Sequence, residues 1–242
     1  MLEIVGVRAR NMQKRRARIL AEARGLLARG GFEAMNLREL ARLADVTVPT
    51  IYNLVGNKEE VIVALMSEAL AEIEARIGTA DKVEPLERAV AVVTASTALF
   101  AEDEDFYRPA FLAVEYLEQS GPHHDKVARL YAWGRRFIDE GIAACRDAGL
   151  LRGDVRPAVL GDLVFRSYRS HCRAWAGGHC SLAEFARLTL LDIHLALAAA
   201  AIEAFRPPLV KRITALSATA AGRASKAAKA RRPARRTEEK QR

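Results

Sequence analysis

The residues best equipped for metal chemistry are two His-Cys pairs, His171-Cys172 and His179-Cys180, on either side of Gly177-Gly178. Imidazole and thiolate are the usual zinc ligands. Neighbouring residues on a helix point about 100° apart, so at most one of each pair easily faces a shared site. Buried thiols and surface imidazoles are the better reading, and no metal is expected. The chain also lacks a nucleophile-elbow serine, a phosphate-cradling glycine loop and an HExxH pair, so neither catalysis nor a cofactor is expected. What remains is recognition chemistry. Between residues 36 and 55, Leu37, Leu40, Ala41, Leu43, Ile51 and Val55 can pack inward. That leaves Thr47, Val48, Thr50 and Asn53 outward, small groups suited to base edges and phosphates. Arg8, Arg10, Lys14, Arg15, Arg16 and Arg18 precede this unit and Lys58 follows it.

Such side chains need short, well-ended helices to position them. Asn36 with Glu39, Thr47, and Asn57 with Glu60 are three helix starts in close succession. Each offers a side-chain oxygen to the free N–H groups of a first turn. They predict helices over 37–43, from 48 onward, and over 58–77. Pro49 falls in a first turn, where a missing N–H costs little. A longer helix over 9–28 precedes them, with Ile19, Leu20, Ala23, Leu26 and Leu27 on one face and Gly30-Gly31 at its end. A short helix, a tight turn and a second short helix form the helix-turn-helix that enters a major groove.

Charge is distributed to match. The net charge is +8, but residues 61–216 carry −3 while residues 1–60 carry +4 and residues 217–242 carry +7. A basic start and a basic tail flank a slightly acidic body. The tail has no large apolar residue and is expected to be disordered. Three cysteines argue against a disulfide framework and for a reducing compartment. No secretory pattern opens the chain, and the apolar run at 193–202 is too short for a membrane span, so a cytoplasmic protein without a membrane partner is expected.

The stretch from Arg16 to Leu65 resembles the N-terminal domain of the TetR family of transcriptional regulators. The shared features are Ile19-Leu20, Gly31-Phe32, Leu40-Ala41, Thr50-Ile51-Tyr52 and Asn57-Lys58-Glu59. The resemblance implies double-stranded operator DNA as a partner. It implies phosphate contacts from Asn36, Thr47, Tyr52 and Lys58, with Arg38 also within reach of phosphate. It implies base or methyl contacts from Val48, Pro49 and Asn53, with Thr50 serving either role. Asp45 stands where the family usually has glycine in the turn, and Met35 where a small hydroxyl residue is common.

Behind this unit the chain reads as helices near 85–101, 105–119, 123–148, 157–175 and 181–205, with a short one at 209–216. The expected fold is all-α, with a three-helix helix-turn-helix domain (1–56), a larger helical bundle (57–216, linked by 57–77) and a tail (217–242). Aromatic residues crowd the bundle, and Phe111, Tyr131 and Phe165 are the expected lining of a pocket for an unknown apolar or amphipathic effector, which the resemblance also implies. The segment 188–205 is apolar on nearly every side and needs cover, which points to a homodimer through Leu188, Leu191 and Leu195. The expected function is a ligand-responsive homodimeric repressor on a pseudo-palindromic operator. The alternative is an effector-independent architectural DNA-binding protein that uses its basic tail.

Overall fold

Helix punctuation organises the N-terminal part of the structure, a computed structural model that describes residues 2–78, 83–119 and 124–230, with side chains described for 8–218 within those ranges. Helix α1 (Leu2–Ala34) breaks at Gly31 (φ 68°, ψ −173°), so its last residues form a separate turn. Helices α2 (Leu37–Leu43) and α3 (Val48–Leu54) follow, capped by Asn36 and Thr47. Ile19, Leu20, Ala23 and Leu27 of α1 form a common core with Leu40, Ala41, Ala44 and Ile51. Met35 is fully buried there, which gives a long apolar side chain a role where a small polar one would leave space. The turn between α2 and α3 holds Asp45 at φ 50°. Asp is one of the few residues that adopts this left-handed geometry readily. The Arg18 guanidinium donates to its carbonyl at 3.0 Å and pins the turn to α1.

Helix α4 (Lys58–Ile77) opens on a complete capping box: Asn57 Oδ1 accepts from Glu60 N at 2.9 Å, and Glu60 Oε2 accepts from Asn57 N at 2.8 Å. Gly56, at φ 126°, precedes it, and a Cβ there would stand 2.0 Å from the Glu60 carboxylate. At the start of α2 only half of that arrangement forms. Asn36 caps, but Glu39 turns outward to pair with Arg42 at 2.7 Å.

The body contains α5 (Pro85–Glu102), α6 (Glu104–Gln119), α7 (His124–Asp147), α8 (Pro157–Ala176), α9 (Leu182–Ala200) and α10 (Arg206–Ala230). Helices α5 and α7 cross so closely at Gly141 that a Cβ would lie 2.5 Å from Ala89 Cα. Trp175, fully buried, stacks on Phe100 with centroids 5.1 Å apart and planes at 10°. Helix α1 packs on α6 as well as on α2 and α3, so the N-terminal helices rest directly on the body.

Two boundaries near the C-terminal end differ from the sequence reading. The helix expected over 181–205 ends at Ala200. Ala201 is extended and pairs with Leu151, Arg152 N donates to Ala200 O at 2.8 Å, and Ile202 N donates to Leu150 O at 3.0 Å. The loop before α8 thus competes successfully for the backbone groups of the helix end. A short 3-10 turn (Glu203–Phe205) leads into the last helix, which runs to Ala230 rather than stopping at 216. Alanine, the best helix former, and the two lysines and one arginine among residues 217–230 support that continuation; the rest of the basic tail, 231–242, lies outside the described residues. The apolar character of α9 is also explained largely within the chain, because α5, α8 and α10 pack around it and bury Phe185, Ile193 and Leu197.

Candidate nucleic-acid interface and effector cavity

The caps that begin α2 and α3 also set which groups face outward. Asn36 Oδ1 is occupied by Glu39 N at 2.8 Å, which leaves the side-chain NH₂ as a donor. Thr47 Oγ1 accepts from Thr50 N at 3.3 Å and lies 2.9 Å from Thr50 Oγ1. Ile51 is fully buried, so α3 turns its opposite face to solvent. That face carries Pro49, Tyr52 and Asn53, all exposed, with Val48 and Thr50 half-buried at its edges. Tyr52 is 55% exposed, too open for a core aromatic. Arg38 is exposed on α2. Lys58 is held by the end of α1: its ammonium donates to Glu33 O at 3.4 Å and sits 4.2 Å from the Phe32 ring centroid. A cation in the first turn of α4 opposes the helix dipole, and these contacts help offset that cost.

The body contains a narrow cleft with about 70 Å³ of free volume, walled by five helices, α4 to α8. Phe111, Tyr131 and Phe165 all stand on its wall, together with Met66, Leu70, Ile73, Leu130, Phe137 and Tyr168. The wall is otherwise apolar, but one part is strongly charged. Glu115 accepts from Tyr131 Oη and Arg169 Nη2, each at 2.8 Å, and pairs with Arg173. Glu118 holds Arg169 from the next turn of α6, with Nη1 donating at 3.1 Å. The Arg169 guanidinium lies over the Tyr131 ring at 3.8 Å. Burial raises the Glu115 carboxyl's pKa, but the bonds from Arg169, Arg173 and Tyr131 outweigh it and hold the net value below the ordinary carboxylate range. Burial and the adjacent Glu115 charge push the Tyr131 phenol well up, so it stays a neutral donor.

Sequence reasoning passed over Glu115, Arg169 and Arg173. A signal was present: Glu115 with Glu118, and Arg169 with Arg173, are spaced three and four apart, which puts each pair on one helix face. Nothing in the sequence showed that the two faces meet across a cavity.

The other flagged residues separate. His171 Nε2 bonds Asp192 Oδ2 at 2.8 Å, Cys172 is buried and His179 exposed. No cluster of three or more His, Cys, Asp or Glu side chains suited to a metal occurs among the described residues. Leu188 and Leu191 are half-buried and Leu195 is 47% exposed; Val159 and Leu163 of α8 are also exposed, at 52% and 56%. No helix of the described residues is long and apolar enough to cross a membrane.

Two contacts link the helices of the body to the recognition unit. Tyr116, next to Glu115 on α6, lies 5.7 Å from the same Phe32 ring that carries Lys58. Lys126, in the first turn of α7, pairs with Glu60, the capping-box residue of α4.

Residues 19–65 match the family described as bacterial regulatory proteins, tetR family. The N-terminal unit thus matches that family's DNA-binding domain. The chain is 33% identical over 94 residues to the HTH-type transcriptional repressor KstR of Rhodococcus jostii (strain RHA1), a match covering 38% of this chain and 44% of that one. It thus spans less than half the length of that relative. Two solved structures have the same fold. FadR from Bacillus subtilis, in complex with stearoyl-CoA, superposes with a TM-score of 0.60 at 18% identity, covering 73% of this chain and 97% of that one. FadR from Thermus thermophilus, a TetR-family repressor in complex with lauroyl-CoA, gives 0.59 at 23%, covering 74% and 92%.

Proposed function

We propose that this chain is a ligand-responsive TetR-family transcriptional repressor that binds a pseudo-palindromic operator as a homodimer. The observation that carries the reading is the outward face of α3, where Pro49, Tyr52 and Asn53 are exposed on a helix anchored by buried Ile51 and capped by Thr47. Residues 1–56 form the DNA-binding unit in this reading. Asn36, Thr47, Tyr52 and Lys58 contact phosphates, with Arg38 beside them. Val48, Pro49, Thr50 and Asn53 meet base edges. Lys58 exchanges its carbonyl partner for a phosphate, a stronger, charge-assisted bond.

Residues 57–216 sense the effector and dimerise. The exposed leucines and valine of α8 and α9 supply an apolar strip for a two-fold four-helix contact. The cleft takes an amphipathic molecule with a long apolar body, a reading supported by the acyl-CoA thioesters bound in both FadR structures. Occupancy reaches α3 through Tyr116 and Phe32 and through Lys126 and Glu60, and favours the dimer state with the wrong separation of recognition helices.

Footprinting of the full chain on DNA upstream of its own gene tests the first part. A protected two-half-site sequence is expected, and protection indistinguishable from that on random DNA would refute it. Sedimentation tests the second, with a dimer expected at micromolar concentration and a monomer upon Leu195→Glu.

A further inference from the structure

The charged end of the cleft is more than an apolar pocket requires. Glu115 has a side chain only 13% exposed, yet it is ionised and engaged by three donors. Taking such a cluster out of water costs free energy that apolar residues of similar size would avoid. One group in it is left unsatisfied: the Nε–H of Arg169 is buried without an acceptor among the described residues. The missing partner is therefore an acceptor. A hydrocarbon entering the cleft leaves that donor orphaned. A cation competes for Glu115 and leaves two guanidinium groups with fewer partners.

Resting on the reading of this cleft as the effector site, we propose that Glu115 is a built-in stand-in for the polar end of the effector. The ligand is a molecule with an apolar body ending in an acyl oxygen, which takes Arg169 from Glu115. A free carboxylate and a thioester carbonyl share that chemistry. The apolar body lies against Met66, Leu70 and Ile73 of α4, and the oxygen meets the Arg169 fork, including its Nε–H. Arg173, 57% exposed, can retain Glu115 or turn to water when the exchange occurs. The exchange removes a tie between α6, which carries Glu115 and Glu118, and α8, which carries both arginines.

The test is titration calorimetry on the full-length protein with dodecanoate, dodecanoyl-CoA and dodecylamine, all below their micelle concentrations. At least one acyl probe should bind about tenfold or more tighter than the amine, the worth of a charge-assisted hydrogen bond. The tighter of the two acyl probes identifies whether acid or thioester is the source. Arg169→Gln should remove about tenfold of the acyl affinity, and Glu115→Gln, which weakens the resident competitor, should raise it severalfold. Arg169→Lys keeps the charge but not the fork, and should retain only part of the preference. If Arg169→Gln does not fold, Arg169→Lys and Glu115→Gln decide. Preference for the amine, or acyl affinities untouched by these substitutions, overturns the inference while leaving the cleft as an effector site. Failure of all three probes to bind overturns both.

Discussion

The outward face of α3 and the wall of the body cleft place their charges in opposite ways. The face read as meeting a polyanion has no formal charge on α3 itself, since Val48 through Leu54 are all neutral, and its cations sit at the margins, on Arg38 and Lys58. The cleft is apolar over most of its wall yet carries an ion network at one end. A neutral reading face lets hydrogen-bond pattern and shape decide the sequence, while flanking cations supply the less selective attraction. An apolar cavity with one charged end orients an amphipathic molecule. The two regions also differ in what holds them. The first depends on caps between residues three apart, and the second on contacts between helices far apart in the chain. Substitutions should therefore cost stability in one region and binding in the other.

The largest effect is expected deep beside the cleft. Trp175→Ala removes the ring stacked on Phe100 and should cost about 3–5 kcal/mol, read from urea unfolding. A cost near zero would mean that the aromatic stack is not structural. Gly141→Ala comes next. Its Cβ overlaps the Ala89 backbone, so α5 and α7 must separate, at about 1–3 kcal/mol and with a lower melting temperature.

At the recognition unit, the caps should matter moderately. Asn57→Ala opens the capping box of α4 and should cost about 1 kcal/mol. It should also weaken operator binding, because α4 starts directly after α3. Tyr52→Phe and Lys58→Ala should change stability by no more than about 0.5 kcal/mol, as exposed and half-exposed positions do. Operator affinity should nonetheless fall, and Lys58→Ala should reduce the slope of log affinity against log salt by about 1. Unchanged affinity in both variants at moderate salt would break the contrast between the two regions.

The smallest effect is a pH dependence. The Glu115 carboxyl is held below its ordinary 4.5 in the folded protein. A carboxyl depressed by folding contributes stability above its unfolded pKa and loses that contribution as pH falls through the folded value. Wild type should therefore lose more stability than Glu115→Gln as pH drops below about 4.5, measured as the urea midpoint at each pH. Parallel curves would show that the network contributes nothing specific to the folded state.

The sequence by itself determined what depends on neighbours within one helical turn. The starts of α2, α3 and α4 were legible because Asn36, Thr47 and Asn57 bond to N–H groups three residues on, and the left-handed turn was legible from the tolerance of Asp45. The aromatic side chains Phe111, Tyr131 and Phe165 could be nominated from aromatic density together with the family resemblance. Only the tertiary structure decided what they enclose. It joined Glu115 of α6 to Arg169 of α8, placed Phe32 between Tyr116 and Lys58, and ended α9 at Ala200 by pairing its exit with the loop before α8. It also covered much of α9 with α10, leaving a narrower strip for any partner. These outcomes turn on which helix faces meet, and periodicity gives each face without giving its partner.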